Sequence, residues 1–225
     1  MTKLIVALSK VEHGNMYIPS DTENIHVIEN RKKWLQSVGI SFNDTTRLSI
    51  SYDQADFCRY DTLSEVNKGE GMISTGIRPA DALVVTTPGH ALLLPVADCV
   101  ATVFFDEVHS VCMLAHLGRH SLEQNGGVAT VSYLVEQFGV NPATLKVWLS
   151  PAPNKQSYPI FALNNKGMKE VLLEQLSEAG ITSDHITDNT ADTITDPEYY
   201  SHTAFLNGKI EEDGRFAMVA MMVKD

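Results

Sequence analysis

The chain of 225 residues carries a net charge of −11, with 44% apolar and 20% charged residues. That length suits one domain spanning residues 1–225, and the balance is that of an ordinary globular protein rather than a disordered or fibrous one. The acidic charge argues against a nucleic-acid backbone or an anionic membrane as partner, since both need clustered Lys and Arg; a local basic pocket for one phosphate remains allowed.

In chain order, the first element is a short strand in LIVALS (Leu4 to Ser9), followed by a Gly/Pro loop. LIVAL has only five apolar residues and no small-residue cleavage site behind it, so it does not read as a signal peptide. A helix ending in NRKKWLQSVG follows, with Ile25, Ile28, Trp34, Leu35 and Val38 near helical spacing. Gly39–Ile40 stops it: a left-handed glycine, then an apolar residue folding back on the last turn. The same signature recurs at Gly139–Val140 and Gly180–Ile181, bracketing two further helices.

Between the first two helices lie the strand-like runs RLSISY, ALVVTT, ALLLPVA, CVATVFF and SVCMLAH; LKVWLS and FAMVAMMV come later. Strands first, then alternating helix and strand, suits an α+β domain with mixed sheets. The longest apolar tract, ALLLPVA into CVATVFF, is broken by Asp98 and is too short on either side to span a bilayer. Three cysteines, Cys58, Cys99 and Cys112, make no CxxC and leave an odd one out, so no disulfide framework is expected and the cytoplasm is the expected location.

The stretch AHLGRHSLEQNGG, Ala115 to Gly127, concentrates the chemistry. Cys99 follows Asp98 at the start of one strand and His116 ends the next, so a hairpin at FDEVHS brings the two side by side. Such a pair can supply two ligands of a zinc-type site or a nucleophile and its base. It can equally be a small apolar filler and a satisfied polar group. His116 and His120 form an HxxxH, but Gly118 lies between them and Ser121 with Gln124 fits a capping box, so the helix is expected to start after His120. At that strand-to-helix turn, Arg119 and backbone N–H groups can hold an anion. The remaining histidines are scattered with no HxH pair, which argues against copper oxidase chemistry.

PADALVVTTPGHALLLPVADCVATVFFDEVHSVCMLAHLGRHS resembles the core of the laccase-domain family, also called multicopper polyphenol oxidoreductases. The likeness extends to Asn30–Arg31, to SPAPNKQSYPI and to DPEYYSHTAFLNGKIEEDGRFAMVAMM, so it covers nearly the whole chain. It implies a sandwich of mixed β-sheets flanked by helices. It further implies activity on purine nucleosides, by phosphorolysis or deamination, or on cell-wall precursors, and a shared zinc-type cluster of His, Cys and His. By residue match, Cys99 and His116 are the second and third members of that cluster. Asp56 stands where the first histidine belongs; the family's GWRG reads Gly118, Arg119, His120, Ser121, and its SYRR reads Ser201, His202, Thr203, Ala204. Asp192 stands where members carry a nearby cysteine.

Two expectations follow. The first is a zinc-assisted enzyme whose ion is held by Asp56, Cys99 and His116, with His120 as substitute ligand or proton shuttle. Asp98, Arg119 and Arg215 would steady a nucleoside-like substrate and phosphate. A metal-free variant uses Cys99 as thiolate and His116 as base, a Cys-His hydrolase. The second is a binding or regulatory protein on the same scaffold.

Overall fold

In a computed structural model of the chain, residues 2–17, 24–73 and 79–224 are described. The elements in order are β1 (Thr2–Leu8), α1 (Ile25–Ser37), β2 (Thr45–Arg47), β3 (Tyr60–Thr62), β4 (Ala82–Val85), β5 (Ala91–Val96), β6 (Val100–Asp106) and β7 (Val111–Leu117). They continue with α2 (Arg119–Glu123), α3 (Gly126–Phe138), β8 (Lys146–Leu149), α4 (Met168–Glu178), β9 (Ile186–Asp188), α5 (His202–Leu206) and β10 (Phe216–Lys224). One sheet has the strand order β1-β10-β5-β2 and the other β3-β4-β7-β6-β8-β9. Each combines parallel and antiparallel pairs, as the alternation of strands and helices led one to expect.

The apolar pattern dictates how the sheets stack. β5 reads ALLLPV because it is buried on both faces. Leu92 and Leu94 point between the sheets, against Val103, Phe105 and Leu114 of the larger one. Ala91 and Leu93 point outwards, into a cluster with Trp34 and Leu35 of α1. The far face of the larger sheet is covered by Leu134 of α3 and Leu172 and Leu176 of α4. The result is four layers: helix, sheet, sheet, helices. A fully buried Leu or Phe contributes roughly 1.5–3 kcal/mol relative to an exposed one, so these three cores dominate stability.

All three expected helix stops are glycines in the left-handed region, with φ of 74° at Gly39, 68° at Gly139 and 91° at Gly180. The expected single helix beginning at Ser121 is corrected to two. Gly118 is the N-cap of α2, so Ser121 lies inside that helix and its hydroxyl donates back to the Gly118 carbonyl at 2.9 Å. α3 starts afresh at Asn125, which takes a left-handed φ of 63° that Asn tolerates. A Cβ on Gly126 would stand 2.7 Å from the Ser121 carbonyl oxygen, so the QNGG turn depends on that glycine for the two helices to meet. The RLSISY strand is also shorter than expected. β2 ends at Arg47, and after Leu48 bonds to Leu93 the chain turns away to form a cavity wall.

Candidate functional site

β6 and β7 pair antiparallel with Val100 opposite Leu117 and Ala101 opposite His116. Cys99 and Gly118 come just past the end of this ladder, close against each other. Paired residues share a face, as do alternate residues along one strand. Ala101 and His116 therefore face the smaller sheet, and Cys99 lies beside His116 at the open end of the sandwich. Gly118 makes the arrangement possible: a Cβ there would stand 2.7 Å from Cys99 Sγ and 3.0 Å from His116 Cε1. The thiol and the imidazole occupy the space that a side chain would need.

Asp98 sets the turn into β6. Its φ of 82° is unfavourable for an aspartate. Its carboxylate holds the turn in place, accepting from Thr193 Oγ1 and from the Thr203 backbone N–H, both at 2.7 Å. Both oxygens are thereby engaged by the protein, tying the β5–β6 turn to the start of α5. Asp98, expected as a substrate contact, lines the cavity with its carboxylate held by these two bonds.

The open end of the sandwich forms a cavity of about 410 Å³. Cys99, His116, Arg119, His120, Asp98 and Arg215 all line it. The sequence reading missed Tyr17, Arg47, Tyr52, Phe57 and Tyr158, which line it as well. They stand far from the Cys–His pair in sequence and carry no motif.

The electrostatics differ around the wall. Burial and the Asp98 charge push the Cys99 thiol up to about 12, against the opposing pull of Arg215 and of the Arg119 N–H and charge. Burial, helped by His120, holds His116 down to about 4. The resting pair is thus a neutral thiol beside a neutral imidazole, which disfavours the thiolate–imidazolium pair that a metal-free Cys–His hydrolase needs.

At the mouth, the His120 ring stacks on Phe57 at 4.7 Å and meets Tyr52 edge-on at 6.0 Å. The Arg119 guanidinium donates to His120 Nε2 at 3.1 Å. The Gln124 amide bridges α2 to the opposite loop, donating to Ala55 O at 2.6 Å and accepting from Phe57 N at 2.9 Å. Across the cavity, Arg215 Nη1 donates to Asp213 at 2.6 Å, and the same carboxylate oxygen lies 2.9 Å from His202 Nδ1.

Asp56 does not join this group. It is exposed, it is not part of the cavity wall, and its Oδ1 accepts from the Cys58 backbone N–H at 2.9 Å. His120 is committed to its ring contacts and to Arg119. Among the described residues no group of three His, Cys, Asp or Glu side chains is placed to hold a metal ion. Zinc takes three or four protein ligands, so the residues as placed do not fit the expected zinc centre.

Comparison with known proteins agrees with this architecture. Residues 6–170 match the family described as multi-copper polyphenol oxidoreductase laccase. The purine nucleoside phosphorylase YlmD of Bacillus subtilis (strain 168) is 23% identical over 202 residues, 78% of this chain and 71% of that protein. A purine nucleoside phosphorylase of Corynebacterium glutamicum is 32% identical over 84 residues, 37% of this chain and 34% of its own length. Among solved structures, YlmD from Geobacillus stearothermophilus superposes with a TM-score of 0.84 at 18% identity, covering 98% of this chain and 92% of that one. The Bacillus licheniformis protein YfiH gives 0.82 at 21% identity, covering 98% and 93%. The chain belongs to the multi-copper polyphenol oxidoreductase laccase family, on a fold of two mixed sheets between helices.

Proposed function

We propose that the protein is an enzyme that takes a purine nucleoside, or a closely related small molecule, into the cavity at the open end of the sandwich. The observation that carries this reading is the wall itself. A half-buried Cys99 beside a buried His116 sits at the sheet ends, and aromatic planes and arginines surround the pair. The volume falls within the range of roughly 300–1,000 Å³ usual for small-molecule sites. The names of the curated relatives point to phosphorolysis. In that reaction a phosphate oxygen attacks the ribose C1′, the C1′–N9 bond breaks and the purine leaves with a proton.

Each side chain has a role in this reading. Phe57, Tyr52 and Tyr158 offer flat faces to a base. The neutral His116 and the protonated Cys99 thiol exchange hydrogen bonds and protons with the reacting atoms. His120, partly exposed beside Arg119, relays protons to solvent, and Arg119 and Arg215 orient ribose hydroxyls from the rim.

A second reading, a binding or regulatory protein, is favoured by the position of Asp56 outside the cavity. One experiment separates the two. Purified protein is assayed against purine nucleosides with and without phosphate, alongside elemental analysis. Release of free base that requires phosphate supports phosphorolysis, and release of ammonia supports deamination. Tight nucleoside binding with no turnover in either condition supports the binding protein.

A further inference from the structure

The arginines of the cavity differ in how their charge is met. Arg215 is neutralised by Asp213 at 2.6 Å. Arg119 is exposed and rests on His120. Arg47 is only 6% exposed, and Arg31 of α1, close behind it, only 5%.

The described partners of these two guanidiniums are all neutral. Arg31 donates to the carbonyls of Met16 and Met72. Arg47 donates to the Gly71 carbonyl and to Ser49 Oγ, and lies 4.9 Å from the centre of the Tyr17 ring. Burying a cation with no opposing charge costs more than neutral acceptors return. Here two like charges are buried together, and burial with the Arg47 charge brings Arg31 down to about 9.

The surroundings hold this costly arrangement firmly. The adjacent carbonyls of Gly71 and Met72 take one arginine each. Gly71 has a φ of 72°, and a Cβ there would lie 3.0 Å from the Arg47 carbonyl oxygen and 3.2 Å from its Cβ. Arg47 pairs with Leu93 of β5, so the register sets it towards the outer, α1 face of the smaller sheet, with Arg31 behind it. Arg47, Ser49 and Tyr17 line the same cavity as the Cys–His pair.

We propose that Arg47, backed by Arg31, with Ser49 and Tyr17 beside it, forms a subsite for a phosphoryl anion at the β2 end of the cavity. A guanidinium fork matches two oxygens of a phosphoryl group, and the second buried charge favours a dianion. The group arrives either as free phosphate or as the phosphate ester of the ligand. The ester form rests on the nucleoside reading, whereas the anion subsite stands on the arginine pair alone.

The test uses thermal unfolding and titration calorimetry on the whole chain, with inorganic phosphate, adenosine and adenosine 5′-monophosphate as probes. Phosphate should raise the wild-type Tm saturably, because it binds only the folded state. Arg47→Met should abolish that rise while its Tm without ligand stays level or increases, since the buried charge is gone. If the group is an ester, the monophosphate should bind about tenfold or more tightly than adenosine in wild type alone, and displace phosphate. If it is free phosphate, adenosine and phosphate should bind together. Arg47→Lys keeps the charge but loses the fork, so it should weaken the phosphate response several-fold. An equal phosphate response in wild type and Arg47→Lys would overturn the proposal even if the Met variant fails to fold. No phosphate response in wild type, with no preference for the monophosphate, would overturn it too. Failure of both nucleoside ligands with the phosphate response intact would leave the subsite standing and remove only the nucleoside reading.

Discussion

The closed end of the cavity and its mouth are built on different principles. At the closed end, His116 sits in the paired β6–β7 ladder with Cys99 and Gly118 just past its end, so the backbone register fixes the base on which they rest. At the mouth, Tyr52, Phe57 and His120 meet through ring contacts and one bridging amide, from a loop and a five-residue helix. A ladder tolerates no displacement without breaking its hydrogen bonds, whereas a side-chain bridge can loosen locally. Substitutions should therefore act sharply at the first region and gradually at the second.

The largest effect is expected from Gly118→Ala. Its φ of −93° is open to alanine, so the damage comes from the added methyl pressing on Cys99 Sγ and His116 Cε1. Shifting reacting groups by about 1 Å costs on the order of a hundredfold in rate. Overpacking should also remove about 1–3 kcal/mol of stability. Turnover of the proposed nucleoside substrate and denaturant unfolding measure the two effects. Normal turnover in a folded Gly118→Ala protein would remove the Cys99–His116 pair from the chemistry.

The closed end should also control stability in acid. His116 titrates near 4 in the folded protein, below its ordinary value of 6.5, because burial disfavours the imidazolium. Between those values the unfolded chain binds the extra proton and the folded one does not, so stability falls as pH drops. At about 1.4 kcal/mol per unit, about 3 kcal/mol present above pH 6.5 is lost by pH 4. Urea titrations across that window measure the slope. His116→Gln should flatten it, and an unchanged slope in that variant would assign it to other groups.

The same contrast explains what could be read from the sequence. ALLLPVA, CVATVFF and SVCMLAH announce buried strands, and the short FDEVHS connection makes the last two a hairpin, which sets Cys99 beside the turn after His116. Three glycines followed by apolar residues mark three helix ends through local backbone physics alone. The mouth is assembled by tertiary contacts between residues far apart in sequence, such as Gln124 with Ala55 and Phe57. Gln124 reads as half of a capping box because that motif is local; the structure uses its amide over a longer range. Arg47 was invisible for the same reason, since its burial depends on Gly71, Met72 and α1 together.

A smaller effect is expected from Gln124→Ala. The amide makes two bonds to the 55–57 loop, each contributing about 0.5–1.5 kcal/mol at most and less where water competes. The fold should lose less than about 1.5 kcal/mol. The aromatic wall should loosen, raising KM several-fold while kcat changes little, because Cys99 and His116 are held from elsewhere. Steady-state kinetics distinguish this from a fall in kcat, which would mean that the bridge reaches the reacting atoms.

The smallest effect is expected at Asp56, where the sequence resemblance led one to expect the family's first histidine. A ligand there would point towards Cys99 and His116, but its carboxylate turns to the Cys58 backbone N–H within its own loop, and the side chain is exposed. Such a short-range bond at the surface does little more than stiffen the turn. Asp56→Ala should change stability by no more than about 0.5 kcal/mol and leave turnover near wild type. Asp56→His tests the geometry more strictly, since imidazole is a better zinc ligand than carboxylate. With the loop placed as it is, the new ring should not raise the zinc content of the purified protein. Stoichiometric zinc in that variant, absent from wild type, would show that the loop can carry position 56 to the Cys–His pair. The missing ligand would then be a matter of side-chain chemistry rather than of the path of the chain.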